Sequence, residues 1–72
     1  MSLADVRGRE PLTVTRIRSA GAGAVRLMEL GLIEGANVQV IGRAPLGGPI
    51  RVRVGDCQLS LRRSDADLVD VT

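Results

Sequence analysis

Apolar and polar residues alternate most cleanly in the second half of the chain. There Ile50, Val52 and Val54 interleave with Arg51 and Arg53, and Cys57, Leu59 and Leu61 interleave with Gln58, Ser60 and Arg62. A period of two marks a strand with one buried face. The intervening Gly55-Asp56 pair has the form of a two-residue hairpin turn. The register it implies sets Val54 against Cys57, Val52 against Leu59 and Ile50 against Leu61, all on one face, with Arg51, Arg53 and Arg62 on the other. Cys57 is thereby expected inward, as a small inert hydrophobe.

The same pattern weakens but persists elsewhere. Pro11 to Arg18 is rich in β-formers and reads as the first long strand. Its alternation slips between Val14 and Ile17, which predicts a bulge. Ala36 to Ala44 reads as a second strand with Val38 and Val40 inward, and Ala44 to Pro49 as a β-β loop shaped by Pro45 and the Gly47-Gly48 pair. Ser64 to Asp67 fits a tiny helical turn with Ser64 as its cap. Val69 and Val71 make a last short strand with Asp70 outward. Residues 1–10 are polar and are expected to be partly frayed, with Leu3 and Val6 able to tuck inward.

Periodicity changes to the helical kind over Ala22 to Leu30. Ala24, Val25, Leu27 and Met28 cover most of that circumference, Met28 being read as core filler, while Arg26 and Glu29 share the polar side and are spaced to pair weakly. Gly31 stands where a helix needs a left-handed residue to stop, and Leu32 then folds back over the last turn. Gly35 suits the positive-φ corner of a type II turn leading into the next strand. Five strands, one short helix and one helical turn predict a mainly β fold, a small five-stranded SH3-like, partly open barrel, with residues 1–72 as a single domain. Gly31, Gly35, Pro45, Gly55 and Asp56 are its expected architectural positions.

Composition narrows the chemistry. The 72 residues include nine glycines and no aromatic side chain, so the core must be built from aliphatic residues, and stability is expected to be modest. That leaves room for a partner or weak self-association to contribute. Without histidine there is no imidazole base or ligand, and one cysteine forms neither an internal disulfide nor a CxxC site. Asp65, Asp67 and Asp70 lie near one another in sequence but on different elements, which favours a solvated acidic end over a metal site. No apolar run is long enough to span a membrane and no signal-peptide core is evident, pointing to a cytoplasmic protein. The ten basic residues are all arginine, so a net charge of +2 coexists with a computed isoelectric point near 10.0.

Several short motifs, in order and at their spacing, carry a family resemblance. They are Arg26-Leu27, Leu30-Gly31-Leu32 with Gly35, Ala44-Pro45-Leu46-Gly47, Pro49-Ile50, Leu59-Ser60-Leu61-Arg62, and the closing Ala66, Val69 and Val71. Together they resemble the FeoA family, small proteins of the bacterial ferrous-iron uptake system. The resemblance implies an SH3-like fold and a role beside FeoB, a membrane permease with a cytosolic GTPase domain. It implies that the chain is held at the membrane only through that partner. The family label of transition-metal binding finds little support in these residues. The same domain type is similar to the C-terminal module of DtxR-like metal-dependent repressors, which leaves a regulatory interaction or metal-binding module as the alternative.

A binding module is therefore the expected function, with no cofactor and no catalytic or metal-ligating residue. Two surfaces are candidates for docking: Arg26, Glu29 and Leu30 with the Gly31 to Gly35 junction, and the arginine face of Arg51, Arg53 and Arg62. The absence of aromatic rings argues against polyproline recognition and against base stacking on single strands, and a net charge of +2 is small for duplex binding through phosphates, so neither a proline-rich ligand nor nucleic acid is the expected partner. Nothing in the spacing selects an arginine for insertion into a partner's GTPase site; since that needs a protruding loop, Arg43, at the start of the Pro-Gly loop, would be the candidate.

Overall fold

The computed structural model describes residues 1–72, and five antiparallel strands dominate it: β1 (Leu12–Ile17), β2 (Asn37–Arg43), β3 (Ile50–Val54), β4 (Cys57–Leu61) and β5 (Val69–Val71). Helix α1 (Ala22–Glu29) lies between β1 and β2, a four-residue helix α2 (Arg63–Ala66) lies between β4 and β5, and a 3₁₀ turn covers Leu3–Asp5. The sheet order is β4-β3-β2-β1-β5. β4 and β5 do not pair, so the curled sheet stays open on that side.

Curvature comes from two irregular registers. The first half of β1 pairs with β2, through Leu12 opposite Val38 and Thr13 opposite Asn37, whereas its second half pairs with β5, through Val14 opposite Val71 and Ile17 opposite Val69. The register slips between Val14 and Arg16, where the sequence alternation also slips. A second slip falls between Val40 and Gly42 of β2. An extra residue on one strand bends it and increases its twist, which lets one strand serve two neighbours around a corner.

The hairpin pairs as the alternation requires, with Ile50 opposite Leu61, Val52 opposite Leu59 and Val54 opposite Cys57. Gly55 takes φ +59 while Asp56 stays at negative φ, the type II′ arrangement whose twist matches that of the flanking strands. Ile50, Val52, Val54 and Leu61 are buried with Val14, Val38, Val40, Val69 and Val71 in a cluster of 15 residues. Cys57 departs from the expectation. It is exposed, because the core thins toward the hairpin turn and nothing is packed over that corner. Gly55-Asp56 and Cys57 thus lie at the rim of the barrel.

The N-terminal residues are docked where their polarity suggested fraying. Leu3, Ala4 and Val6 are all buried, plugging the open side of the sheet. Ser2 forms a β-bridge with Asp70, and the Val71 N–H donates to the Met1 carbonyl at 2.8 Å. This covers the free edge of β5, while β4 keeps an uncovered edge. The short helix α2 begins one residue before the expected cap. Arg62 is its N-cap residue, and no side chain caps it. Ser64 sits inside the helix, because the chain has already turned at Arg62, whose carbonyl accepts from the N–H groups of Asp65 and Ala66 at 3.0 Å each.

Helix α1 ends as its sequence dictates. The Gly31 N–H donates to the Met28 carbonyl and the Leu32 N–H to the Leu27 carbonyl, both at 3.0 Å, which is a Schellman closure with Gly31 at φ +101. Leu27 and Leu32 are both fully buried by it. The Ala36 N–H then donates to the Ile33 carbonyl at 2.9 Å across Glu34 and Gly35, with Gly35 at φ +88 as the third residue of a type II turn. Replacing Gly31 by alanine forces a left-handed β-carbon to within 3.4 Å of Val54 Cγ1, at a cost of about 1–2 kcal/mol. Gly23→Ala, in the same helix with open space around it, should instead stabilise by up to about 1 kcal/mol. Urea unfolding of the two variants should therefore give midpoint shifts of opposite sign. A Gly31→Ala midpoint at or above that of the parent would show that the helix stop does not depend on glycine.

Candidate functional site

The surface of α1 is more apolar than a satisfied helix requires. Only Ala24 and Leu27 of the eight helical residues are buried. Met28 is 44% exposed and Val25 50% exposed, so the reading of Met28 as core filler is overturned. One short helix presents one side to a small core, and Leu27 and Leu32 already occupy that seat. Leu30 and Ile33, beside the helix stop, are exposed as well. Among the proposed docking residues here, Glu29 and Leu30 are exposed, Gly35 is exposed, and Gly31 is half-buried against Val54. Arg26 does not pair with Glu29. Its guanidinium reaches α2 and meets Asp65 Oδ2 at 2.7 Å, a tertiary contact that outcompetes the spacing along the helix.

Asp65 is thus engaged, and its acidic neighbours are too. Asp70 lies 3.0 Å from Arg18 Nε and 3.9 Å from Arg16 Nε. Asp67 accepts from the Ser2 hydroxyl at 3.3 Å, and that hydroxyl also lies 3.1 Å from Asp5 Oδ2. The Arg18 guanidinium additionally donates to the Asp67 carbonyl. These carboxylates are committed to arginines and a hydroxyl, and nowhere do three cysteine or carboxylate side chains come together in a ligating group. The residues present do not fit a transition-metal site.

The remaining arginines have no carboxylate within 4.0 Å. Arg51 and Arg53 project from the outer face of β3, opposite Ser60 and Gln58 of β4, and Arg51 reaches Gln58 Oε1 at 3.5 Å. Arg62 lies past the end of β4, outside that ladder, so the structure joins two members of the predicted arginine face and sets the third apart. Arg43 is held inward along the molecule instead of projecting from its loop. It donates to the Ala4 carbonyl at 3.0 Å and to the Val6 carbonyl. That anchoring removes it as an inserted arginine. At the tip of the neighbouring loop Leu46 is fully exposed, at φ +60.

Two shallow clefts flank β2. One, of about 230 Å³, lies between Pro11, Asn37, Gln39, Arg53 and the Gly55-Asp56 turn. The other, of about 180 Å³, is lined by Arg7, Gly8, Arg9, Val40, Gly42 and Arg43. The second escaped the reading of the sequence, which took residues 1–10 as partly frayed. The Arg-Gly-Arg run at 7–9 was its available signal.

What these features define is a small, partly open, mainly β barrel with exposed apolar and arginine surfaces. The FeoA domain family matches residues 1–72, and the chain belongs to that family. It is 31% identical over 71 residues to the Fe(2+) transport protein A/Fe(2+) transporter FeoB fusion protein of Porphyromonas gingivalis, covering 99% of this chain and 8% of that one. The FeoA protein of Chlorobium tepidum is 37% identical with a TM-score of 0.87, over 99% of this chain and 68% of its own. The FeoA of Stenotrophomonas maltophilia, a prokaryotic SH3 domain protein solved with zinc, is 32% identical with a TM-score of 0.87, over 100% of this chain and 89% of its own. The expected SH3-like architecture is therefore found. A manganese-dependent transcriptional repressor, 21% identical with a TM-score of 0.85 over 39% of its length, shares the fold alone.

The exposure of Cys57 has a direct chemical readout. A thiol reagent such as 5,5′-dithiobis(2-nitrobenzoate) should titrate one thiol per chain without denaturant. A requirement for urea would return Cys57 to the interior.

Proposed function

We infer that this chain is a non-enzymatic, cytoplasmic accessory protein of ferrous-iron uptake that docks on the cytoplasmic side of a FeoB-type permease. The observation that carries this reading is the family match over residues 1–72, supported by the relative in which a matching segment is part of a FeoB fusion protein. Fusion supplies a high local concentration without any affinity, so a FeoA domain that is not fused to its permease needs a docking surface in its place.

Of the two candidate surfaces, the outer face of the β3–β4 hairpin is favoured. Arg51 and Arg53 have no carboxylate partner, so a partner's acidic groups meet them without first breaking an ion pair. Beside them β4 offers an open strand edge. Arg26 is already paired with Asp65, and docking there through charge would have to displace it. Glu29, Leu30 and the Gly31–Gly35 junction would then contribute apolar and backbone contacts at the periphery. Arg62 adds charge beyond the end of β4.

Titrating the ¹⁵N-labelled protein with the isolated FeoB GTPase domain should shift amides of β3 and β4 ahead of those of α1. Changing Arg51, Arg53 and Arg62 together to serine should weaken binding about tenfold or more at low salt and flatten its salt dependence. Unchanged affinity in the triple variant would eliminate the arginine face. An absence of shifts at high concentration would eliminate the GTPase domain as the site, leaving the membrane portion.

A further inference from the structure

From the 3₁₀ turn to Arg9 the chain is tied to β2 as a strap. Its Ala4 and Val6 carbonyls are held by Arg43, and its Arg9 carbonyl accepts from Gln39 Nε2 at 2.6 Å. Between strap and strand lies the cleft of about 180 Å³ lined by Arg7, Gly8, Arg9, Val40, Gly42 and Arg43. We propose that this cleft binds a phosphate group, carried by a soluble phosphate ester or by a lipid headgroup.

Three features support it. Three arginines and no acidic residue line the cleft, and none of the three has a carboxylate within 4.0 Å of its guanidinium. Where carboxylates are at hand, around α2 and β5, Arg16, Arg18 and Arg26 all pair with them. The cleft arginines are among those left free to take an external anion, and guanidinium matches the oxygen spacing of phosphate. Arg43 is also pre-positioned. Two of its five N–H donors are spent on the strap carbonyls, which fixes the plane of the group and leaves three donors. Finally, Gly8 and Gly42 line the cleft without side chains, so a bulky anion meets no β-carbon there. Glu10 is the nearby acid. Its carboxylate lies 3.6 Å from where a Gly8 β-carbon would sit, outside the cleft lining.

This proposal stands apart from docking to FeoB and is tested without it. Inorganic phosphate, compared with chloride at equal ionic strength, should produce saturable NMR shifts at the Gly8 and Gly42 amides and at Arg43 Nε–H. Arg7→Ser with Arg9→Ser keeps Arg43 and the strap hydrogen bonds, and should weaken binding about tenfold with an unchanged unfolding midpoint. Glu10→Gln should tighten it. Shifts that grow linearly and equally at Arg51, Arg53, Arg62 and Arg63 would reduce the effect to general screening and overturn the proposal. So would a double variant that binds as the parent does. Glycerol 3-phosphate and GDP binding more tightly than vesicles of phosphatidic acid in phosphatidylcholine would assign the phosphate to a soluble ester, and the reverse order would assign it to a lipid.

Discussion

The architecture depends on one stretch of backbone between the end of α1 and the start of β2. Leu32 N–H closes onto the Leu27 carbonyl, which stops the helix and folds both leucines into the core. Four residues after Gly31 the chain turns again, and there the Gly35 N–H donates to the Val14 carbonyl at 2.7 Å while the Val14 N–H donates to the Ala36 carbonyl at 2.9 Å. Val14 is the residue at which β1 leaves β2 and joins β5. The helix stop, the turn and the corner of the sheet are thus fastened at a single place. In a chain without aromatic residues, no large side chain fills an error in that geometry, so backbone hydrogen bonds at two left-handed glycines must set it.

Charge is sorted with comparable economy. The acidic residues near the N-terminus and in the last two elements gather where Ser2, α2 and β5 meet, and there Arg16, Arg18 and Arg26 neutralise Asp65 and Asp70. Exposed pairs of this kind add little stability individually, typically about 0.2–1 kcal/mol. Their larger consequence is what remains. Arg7, Arg9, Arg43, Arg51 and Arg53 lie around β2 and β3 with no carboxylate partner, although Asp56 and Glu10 are nearby. Where α2 and β5 meet the charges are internally satisfied, whereas the arginines along β2 and β3 keep no acidic partner.

Much of this was legible in the sequence, and the failures share a cause. The hairpin register followed from alternation because a strand buried on one face tolerates no slip. The bulge in β1, the glycine stop and the type II turn were legible because each needs a backbone geometry that few residues allow. Cys57, Met28 and Val25 were placed inward on the same pattern and are exposed. Alternation shows which side of a strand or helix faces the core, but not how far along it the core extends. Ser64 was read as a cap from its type, yet the chain turns two residues earlier, at Arg62. The frayed reading of residues 1–10 missed the strap, because Leu3, Ala4 and Val6 gain their burial only from elements far along the chain.

By itself, then, the sequence determined the local geometry and the family. Period-two runs, paired glycines and short motifs act over a few residues, and their physics needs no distant partner. Tertiary structure alone decided which charges are paired and which are free. Arg26 meets Asp65 across 39 positions, Arg18 meets Asp70, and Arg43 reaches back to the carbonyls of Ala4 and Val6. A guanidinium on a long flexible stem pairs with whatever acceptor folding brings within reach. Its partner is therefore set by the closing of the barrel, and so is the cleft that the unpaired arginines leave behind.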